Sequence, residues 1–264
     1  WSARAVGATA PGLAAKLPPI VDAATVIRTL APEWQTRHGL PPACLVAWSG
    51  DNPSSLEGLG LTEEGDVGIS LGTSDTIFGP MREPRVSPDG IGHVFAAATG
   101  GFMGITVFAN GSLAREAVRD MYGLDWAGFS AALRSTPFGN GGARMRPYFV
   151  PEITPHVPEP RVERIDLDPS DAAKNVRAVV EYQVQAMRTY SQWMGVTPRR
   201  IVVTGGASRN AEIRQVIEDA WNQRFPPSTS IEEVRLALPP STLSADWQVL
   251  EEGNSIRIIS TERY

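Results

Sequence analysis

One cysteine, Cys44, occurs in 264 residues. An internal disulfide is thereby excluded, and a reducing, cytoplasmic compartment is the expected setting. The chain also lacks any apolar run approaching a membrane-spanning length, and it lacks a signal-peptide pattern, so no membrane partner is expected. Cationic excess is missing too. A net charge of −5 and a pI near 5.3 argue against bulk attraction to nucleic acid, while leaving room for a local phosphate site. No GxxxxGK[ST] phosphate loop and no GxGxxG dinucleotide fingerprint is present, which removes the two commonest nucleotide signatures. No internal repeat of useful period is found. What remains is an ordinary globular composition, 42% hydrophobic and 20% charged, with enough chain for a substantial core.

Residues 1 to 43 are rich in Ala, Pro and Gly, and short apolar pieces such as ATVIRTL sit between Pro breakers, which suggests surface connections. CLVAWSGDNP (44–53) reads as a buried strand running into a polar turn, and SSLEGLGL as a short helix capped by Ser54 or Ser55. VGISL, DTIF, GHVFAA and FMGITVF then read as strands. A helix follows with Leu113, Ala117 and Met121 on one stripe, Asn110 or Ser112 as its cap and Gly123 at its end. DWAGFSAALRS reads as a second short helix and STPFGNGGARMRPYF as a Gly/Pro loop. A long helix starts at Ser170 or Asp171, carries Val176, Val180, Gln183, Met187, Tyr190 and Met194 at steps of three and four, and stops at Gly195. RRIVVTGGASRN is a strand entering a Gly-Gly turn, and AEIRQVIEDAW an amphipathic helix with Ile213, Val216, Ile217 and Ala220 on one side. Beyond Asn222, SIEEVRLAL reads as helical and SIRIIS as a strand, both among Pro and Ser breakers. The order of elements indicates a mixed α/β domain.

Three stretches could carry chemistry. In SGDNP, Asp51 at the end of a strand can act as a general base toward a substrate hydroxyl, although an Asx turn is the simpler account of those residues alone. In SLGTSDT (70–76), Gly72 permits close backbone approach to an anion while Thr73 and Ser74 offer hydroxyls. An ordinary hairpin turn explains the same residues. In VVTGGASRN (202–210), Gly205 and Gly206 between a strand and a helix N-terminus suit a nucleotide laid against the backbone. There Asn210 either meets a base or ribose, or merely caps the helix.

GDNP, SLGTSDT about twenty residues later, and a distant TGGASRN before a helix stand in an order that resembles the FGGY family of carbohydrate kinases. APGLAAKLPPIV, FANGSLARE, GNGGARMRPYF and PEITP strengthen the resemblance, which runs from about residue 8 to about residue 222 and is strongest toward the family's xylulose kinases. It implies an α/β fold of the actin-like ATPase (ribonuclease H-like) type, preceded by the tail of a similar lobe. The implied organisation is 1–62 as that tail, 63–222 as the nucleotide-binding C-terminal lobe, and 223–264 as a divergent tail. It also implies ATP and Mg²⁺ as cofactors and a xylulose-like sugar as substrate, with no metal ligand assigned to the protein. By the resemblance, Asp51 is the catalytic base and Asn52 touches the sugar. Gly72, Thr73 and Ser74 approach the β- and γ-phosphates, and Gly205, Gly206, Ala207 and Asn210 lie near ribose and base. Trp126 matches a residue of the nucleotide pocket, with a half-buried helix anchor as its alternative. The family's DxGT loop is absent from these residues, as is the strand and NSA-type helix expected after Asn222. Together with a first residue of Trp1 rather than Met, this fits roughly the C-terminal half of a kinase, of low activity alone. Homodimerisation, or self-association through an exposed lobe interface, is a further expectation.

Overall fold

A computed structural model describes residues 1–98, 100–222, 247–252 and 255–260. The chain divides into two units, Trp1–Ser54 and Ser55–Tyr264.

The first unit holds more regular structure than its Pro-rich sequence suggests. It contains α1 (Ala3–Thr9), β1 (Val26–Thr29), α2 (Pro32–His38) and β2 (Cys44–Val46). Strands β1 and β2 pair antiparallel, with Thr29 opposite Cys44. The sequence reading made β2 a buried strand, but every residue of both strands is exposed. Apolar character records a preference for burial, and a two-stranded ribbon has no face of its own to hide. Helix α3 (Asp51–Gly58) begins at Asp51, ahead of Ser54 and Ser55, which lie inside the helix instead of capping it. Pro53 suits that first turn, where its missing N–H is no loss.

The second unit is built on a seven-stranded sheet. Its strands are β3 (Asp66–Leu71), β4 (Asp75–Met81), β5 (His93–Ala96), β6 (Phe102–Phe108), β9 (Arg200–Thr204), β10 (Trp247–Glu252) and β11 (Ser255–Ser260). Their order across the sheet is β10-β11-β9-β3-β4-β6-β5. Only β3 and β9 pair in parallel, and the other pairings are antiparallel. SIRIIS is therefore a strand as read, β11 lying on β9; SIEEVRLAL lies outside the described residues. Side chains alternate between the two faces. Val67, Ile69, Leu71, Ile201 and Val203 face the main core, whereas Val202, Phe78, Met103 and Ile105 pack with Leu56 and Leu61 on the other side.

Four helices cover the main face: α4 (Ser112–Met121), α5 (Trp126–Ser135), α6 (Ala172–Tyr190) and α7 (Ala211–Asn222). Asp125 and Asp171 cap α5 and α6, accepting the N–H groups of Gly128 at 2.7 Å and Lys174 at 3.0 Å. Helix α7 buries Ile213, Val216, Ile217 and Ala220 as read, each of the larger ones contributing about 1.5–3 kcal/mol. For α4 the buried stripe is Ala114, Arg115 and Val118, while Leu113 and Met121 are exposed. Its sequence-derived stripe was thus one step out of phase, because the residue pointing inward is an arginine. Helix α6 stops at Tyr190, and Met194 sits on a following 3₁₀ turn closed by Gly195 at φ 64°. RMRPY, read as loop, is β7 (Arg144–Tyr148), paired antiparallel with β8 (Arg161–Ile165). Among the described residues no helix is long and apolar enough to cross a membrane.

Candidate functional site

The second and third sequence motifs meet at one end of the sheet. Because β3 and β9 run parallel with Ser70 opposite Thr204, both chains leave their strands at the same edge, the carboxyl end where ligands bind in open α/β sheets. Leu71 pairs with Asp75, leaving Gly72, Thr73 and Ser74 as a hairpin turn, with Thr73 and Ser74 exposed. Gly205 adopts φ 91° and ψ 174°, and a Cβ there would lie 2.5 Å from the Leu71 carbonyl oxygen. Only glycine lets these two backbones touch. Past Gly205 the chain makes a 3₁₀ turn (Gly206–Arg209) and enters α7. The Asn210 side-chain oxygen caps that helix, accepting from Glu212 N at 3.0 Å and Ile213 N at 3.2 Å, while its amide donates to Ser130 Oγ at 2.8 Å.

Between α5 and the start of α7 lies a cleft of about 680 Å³. Trp126, Gly206, Ala207 and Asn210 all line it, and Ser112 at the start of α4 joins them. The Ser112 N–H donates to the Gly72 carbonyl at 2.9 Å, which fastens the 72–74 turn to an element lining the cleft. Gly206 has open space where a Cβ would stand. Trp126 is half-exposed, with its ring edge-on to Phe129 at 5.4 Å and under the Arg119 guanidinium at 4.5 Å. The only ion pair between cleft-lining residues among those described is Arg134–Glu212 at 2.5 Å. A smaller cavity of about 300 Å³ beside β7 and α6 holds none of the candidate catalytic or nucleotide-binding residues.

Beneath the turn is a buried polar network that sequence reasoning missed. Arg115 grips both oxygens of Asp75, at 2.6 and 2.9 Å, and donates to Gln183 Oε1 at 2.9 Å and Ser112 Oγ at 3.1 Å. Asp75 and Arg115 are essentially inaccessible. Burial pushes the Asp75 carboxyl above the usual carboxylate range, and the paired guanidinium pulls against that shift. Gln183 in turn donates to the carbonyls of Asn110 at 2.6 Å and Gly111 at 2.8 Å. Asn110 does not cap α4: its side chain reaches Val150 and Glu152. Glu152 accepts the backbone N–H groups of Ala109, Asn110, Ile153 and Thr154 at 2.6 to 3.3 Å. The available signals were slight: a glutamine on an otherwise apolar stripe of α6, and an aspartate opening a buried strand.

Asp51 and Asn52 belong to the first unit. Asp51 is exposed at the head of α3, and one of its oxygens accepts from Asn52 N at 2.8 Å. That bond reaches only the next residue, at the first turn of α3, so it is not the Asx turn, closed two residues on, that these residues suggested.

Residues 67–226 match the FGGY family of carbohydrate kinases, C-terminal domain. A xylulose kinase from Mus musculus is 38% identical over 231 residues, covering 84% of this chain and 41% of that protein. Among solved structures, xylulose kinase from Bifidobacterium adolescentis aligns with 26% identity and a TM-score of 0.63, over 74% of this chain and 40% of its own. A xyloylose kinase from Brucella ovis gives a TM-score of 0.74 at 23% identity, over 90% of this chain and 51% of its own. The chain thus spans about two fifths of the length of the curated relatives it matches, and its fold is the α/β, actin-like ATPase type.

Proposed function

This chain belongs to the FGGY family of carbohydrate kinases, and from that premise we propose that it carries the adenine-nucleotide half of an ATP-dependent sugar kinase site. In this reading ATP lies in the cleft, its adenosine against Trp126, Gly205, Gly206, Ala207 and Asn210, and its β- and γ-phosphates at Gly72, Thr73 and Ser74. The observation that carries it is the convergence of Trp126, Gly206, Ala207 and Asn210 on one cleft, with the 72–74 turn tied to the same wall through Ser112. The cleft is large enough for a nucleoside, and Gly206 leaves open the space that a side chain would fill. Exposed Thr73 and Ser74 hydroxyls are suitable donors to phosphate oxygens. Among the described residues no three His, Cys, Asp or Glu side chains converge to hold a metal. Mg²⁺ is proposed to accompany the nucleotide, where it would neutralise phosphate charge.

Asp51 is the proposed general base and Asn52 a sugar contact. The carboxylate takes the proton of a sugar hydroxyl as that oxygen attacks the γ-phosphorus. The bond to the β-phosphate oxygen breaks, and ADP leaves. Phosphoryl transfer of this kind depends on positioning and charge stabilisation more than on covalent help. The substrate is proposed to be xylulose, giving xylulose 5-phosphate. Because the family's DxGT loop is absent from these residues, the chain alone is expected to bind nucleotide and turn over little sugar. A second reading is a nucleotide-binding module without transfer. Calorimetric titration with ADP, followed by a sugar-phosphate assay with ATP, Mg²⁺ and either xylulose, glycerol, gluconate or ribulose, tests both. ADP binding is expected; its absence at millimolar ADP overturns the nucleotide reading. Robust turnover of xylulose removes the second reading, and preference for another polyol corrects the substrate.

A further inference from the structure

We propose that Arg115 is the positioning residue of the phosphate turn: it meets no nucleotide itself and fixes the backbone conformation in which Gly72, Thr73 and Ser74 receive the phosphates. This inference rests on the nucleotide reading above.

Arg115 is 1% exposed and so is shielded from any ligand in the cleft. Its guanidinium joins three pieces of chain that meet under the turn: the 72–75 turn, the head of α4 and α6. It holds Asp75, the residue that closes the turn, by a two-pronged grip at 2.6 and 2.9 Å. It holds Ser112 Oγ at the head of α4 and Gln183 on α6 at 3.1 and 2.9 Å, and lies 3.5 Å from the Gly72 carbonyl. That carbonyl also accepts the Ser112 N–H at 2.9 Å. An acceptor that would repel a phosphate is therefore turned inward onto α4, and Thr73 and Ser74 become the exposed members of the loop. Clearance beneath is minimal. A Cβ on Gly111 would stand 2.7 Å from Asp75 N and 2.8 Å from the Thr73 carbonyl oxygen.

A buried ion pair is a poor device for stability alone, since well-packed apolar residues do as well or better. What such a pair supplies and apolar residues do not is a fixed register, here through a planar fork matched to both carboxylate oxygens. The pair also neutralises a carboxylate three residues from Gly72, where an uncompensated negative charge would oppose a phosphate.

The test is calorimetric titration of ADP and of AMP, which lacks the β-phosphate, into the full chain and its variants. Arg115→Lys keeps the charge and loses the fork. It is expected to weaken ADP by about tenfold, the scale of one charge-assisted hydrogen bond, and AMP by less than about twofold. The double variant Asp75→Asn with Arg115→Gln removes both charges, and the same ADP-selective loss is expected from it. Should Arg115→Lys fail to fold, Gln183→Met removes one tie to the guanidinium without stranding a charge, and a smaller loss in the same sense is expected. Equal losses for ADP and AMP, or no loss in a folded variant, would overturn the positioning role. Restoration of wild-type ADP affinity in the double variant would also overturn it, because charge neutralisation alone would then suffice. A wild-type chain that binds neither nucleotide refutes the nucleotide reading itself. One that binds AMP as tightly as ADP refutes the phosphate role of the turn, and this inference with it.

Discussion

Replacing Gly205 and Gly206 one at a time with alanine should separate fold from site, although the two residues are adjacent. At Gly205, φ 91° and ψ 174° fall in a region open essentially to glycine alone. An added methyl would stand 2.5 Å from the Leu71 carbonyl oxygen, 2.8 Å from its carbonyl carbon and 2.9 Å from its nitrogen. Those atoms belong to central strand β3, which β4 and β9 hold on either side, so they cannot simply move away. Backbone strain of about 1–3 kcal/mol and overpacking of similar size put Gly205→Ala at roughly 2–6 kcal/mol of destabilisation. At about 2–4 °C per kcal/mol for a chain of this length, Tm should fall by roughly 4–24 °C. Gly206 is the control: a methyl there meets no heavy atom within 4 Å and points into open space at the cleft. Gly206→Ala should therefore leave Tm within about 2 °C, the scale of a surface substitution, and weaken ADP binding by intruding on its space. Differential scanning calorimetry and ADP titration on both variants read the result. An unchanged Tm for Gly205→Ala would refute the contact between the two motifs. A Gly206→Ala variant with full ADP affinity would refute the placing of nucleotide against that turn.

Asn210→Ala removes the cap on α7 and the bond to Ser130, and should cost about 1 kcal/mol in urea unfolding; Asn210→Asp, which keeps the capping oxygen, should recover most of it. Glu181 gives a pH test. Burial pushes its carboxyl above the ordinary 4.5, outweighing the hydrogen bonds from Arg177 and Gly139. The folded chain then binds this proton more tightly than the unfolded one, so the group's contribution to stability is present at acid pH and is lost as pH rises from 4.5 through the folded value. Urea midpoints of the wild type relative to Glu181→Gln should accordingly fall as pH rises toward neutrality, and a rise would refute the direction.

The strands and helices that follow a simple period could be read from sequence. VGISL and RRIVVT alternate or run apolar as strands of a covered sheet must, and α7 shows its buried stripe openly. In the second unit, the errors on α4 and β7 fell where charged residues interrupt the apolar pattern. On α4 the inward residue is Arg115, so the apolar period selected the exposed stripe through Leu113 and Met121. RMRPY carries two arginines and a proline, which read as loop, yet it pairs residue for residue with RVERI. There Arg146 lies opposite Glu163 and meets it at 2.8 Å across the strands. Pattern reading treats charge as exposure, and in this unit several charges are inside.

The same cause limited the reading of the site. Gly72, Thr73 and Ser74 were legible as a turn because turn chemistry is local, and TGGASRN was legible as strand, turn and helix. Their adjacency was not local: it depends on β3 and β9 pairing in parallel, with more than a hundred residues of chain between them. What holds the turn in place is further removed, in Arg115, Gln183 and, through Asn110, Glu152. None of these has a recognisable pattern, since each is defined by partners rather than by spacing. The hairpin and phosphate readings of SLGTSDT therefore do not compete. The hairpin fixes where the three turn residues lie, and the buried network beneath decides which of their polar groups face outward.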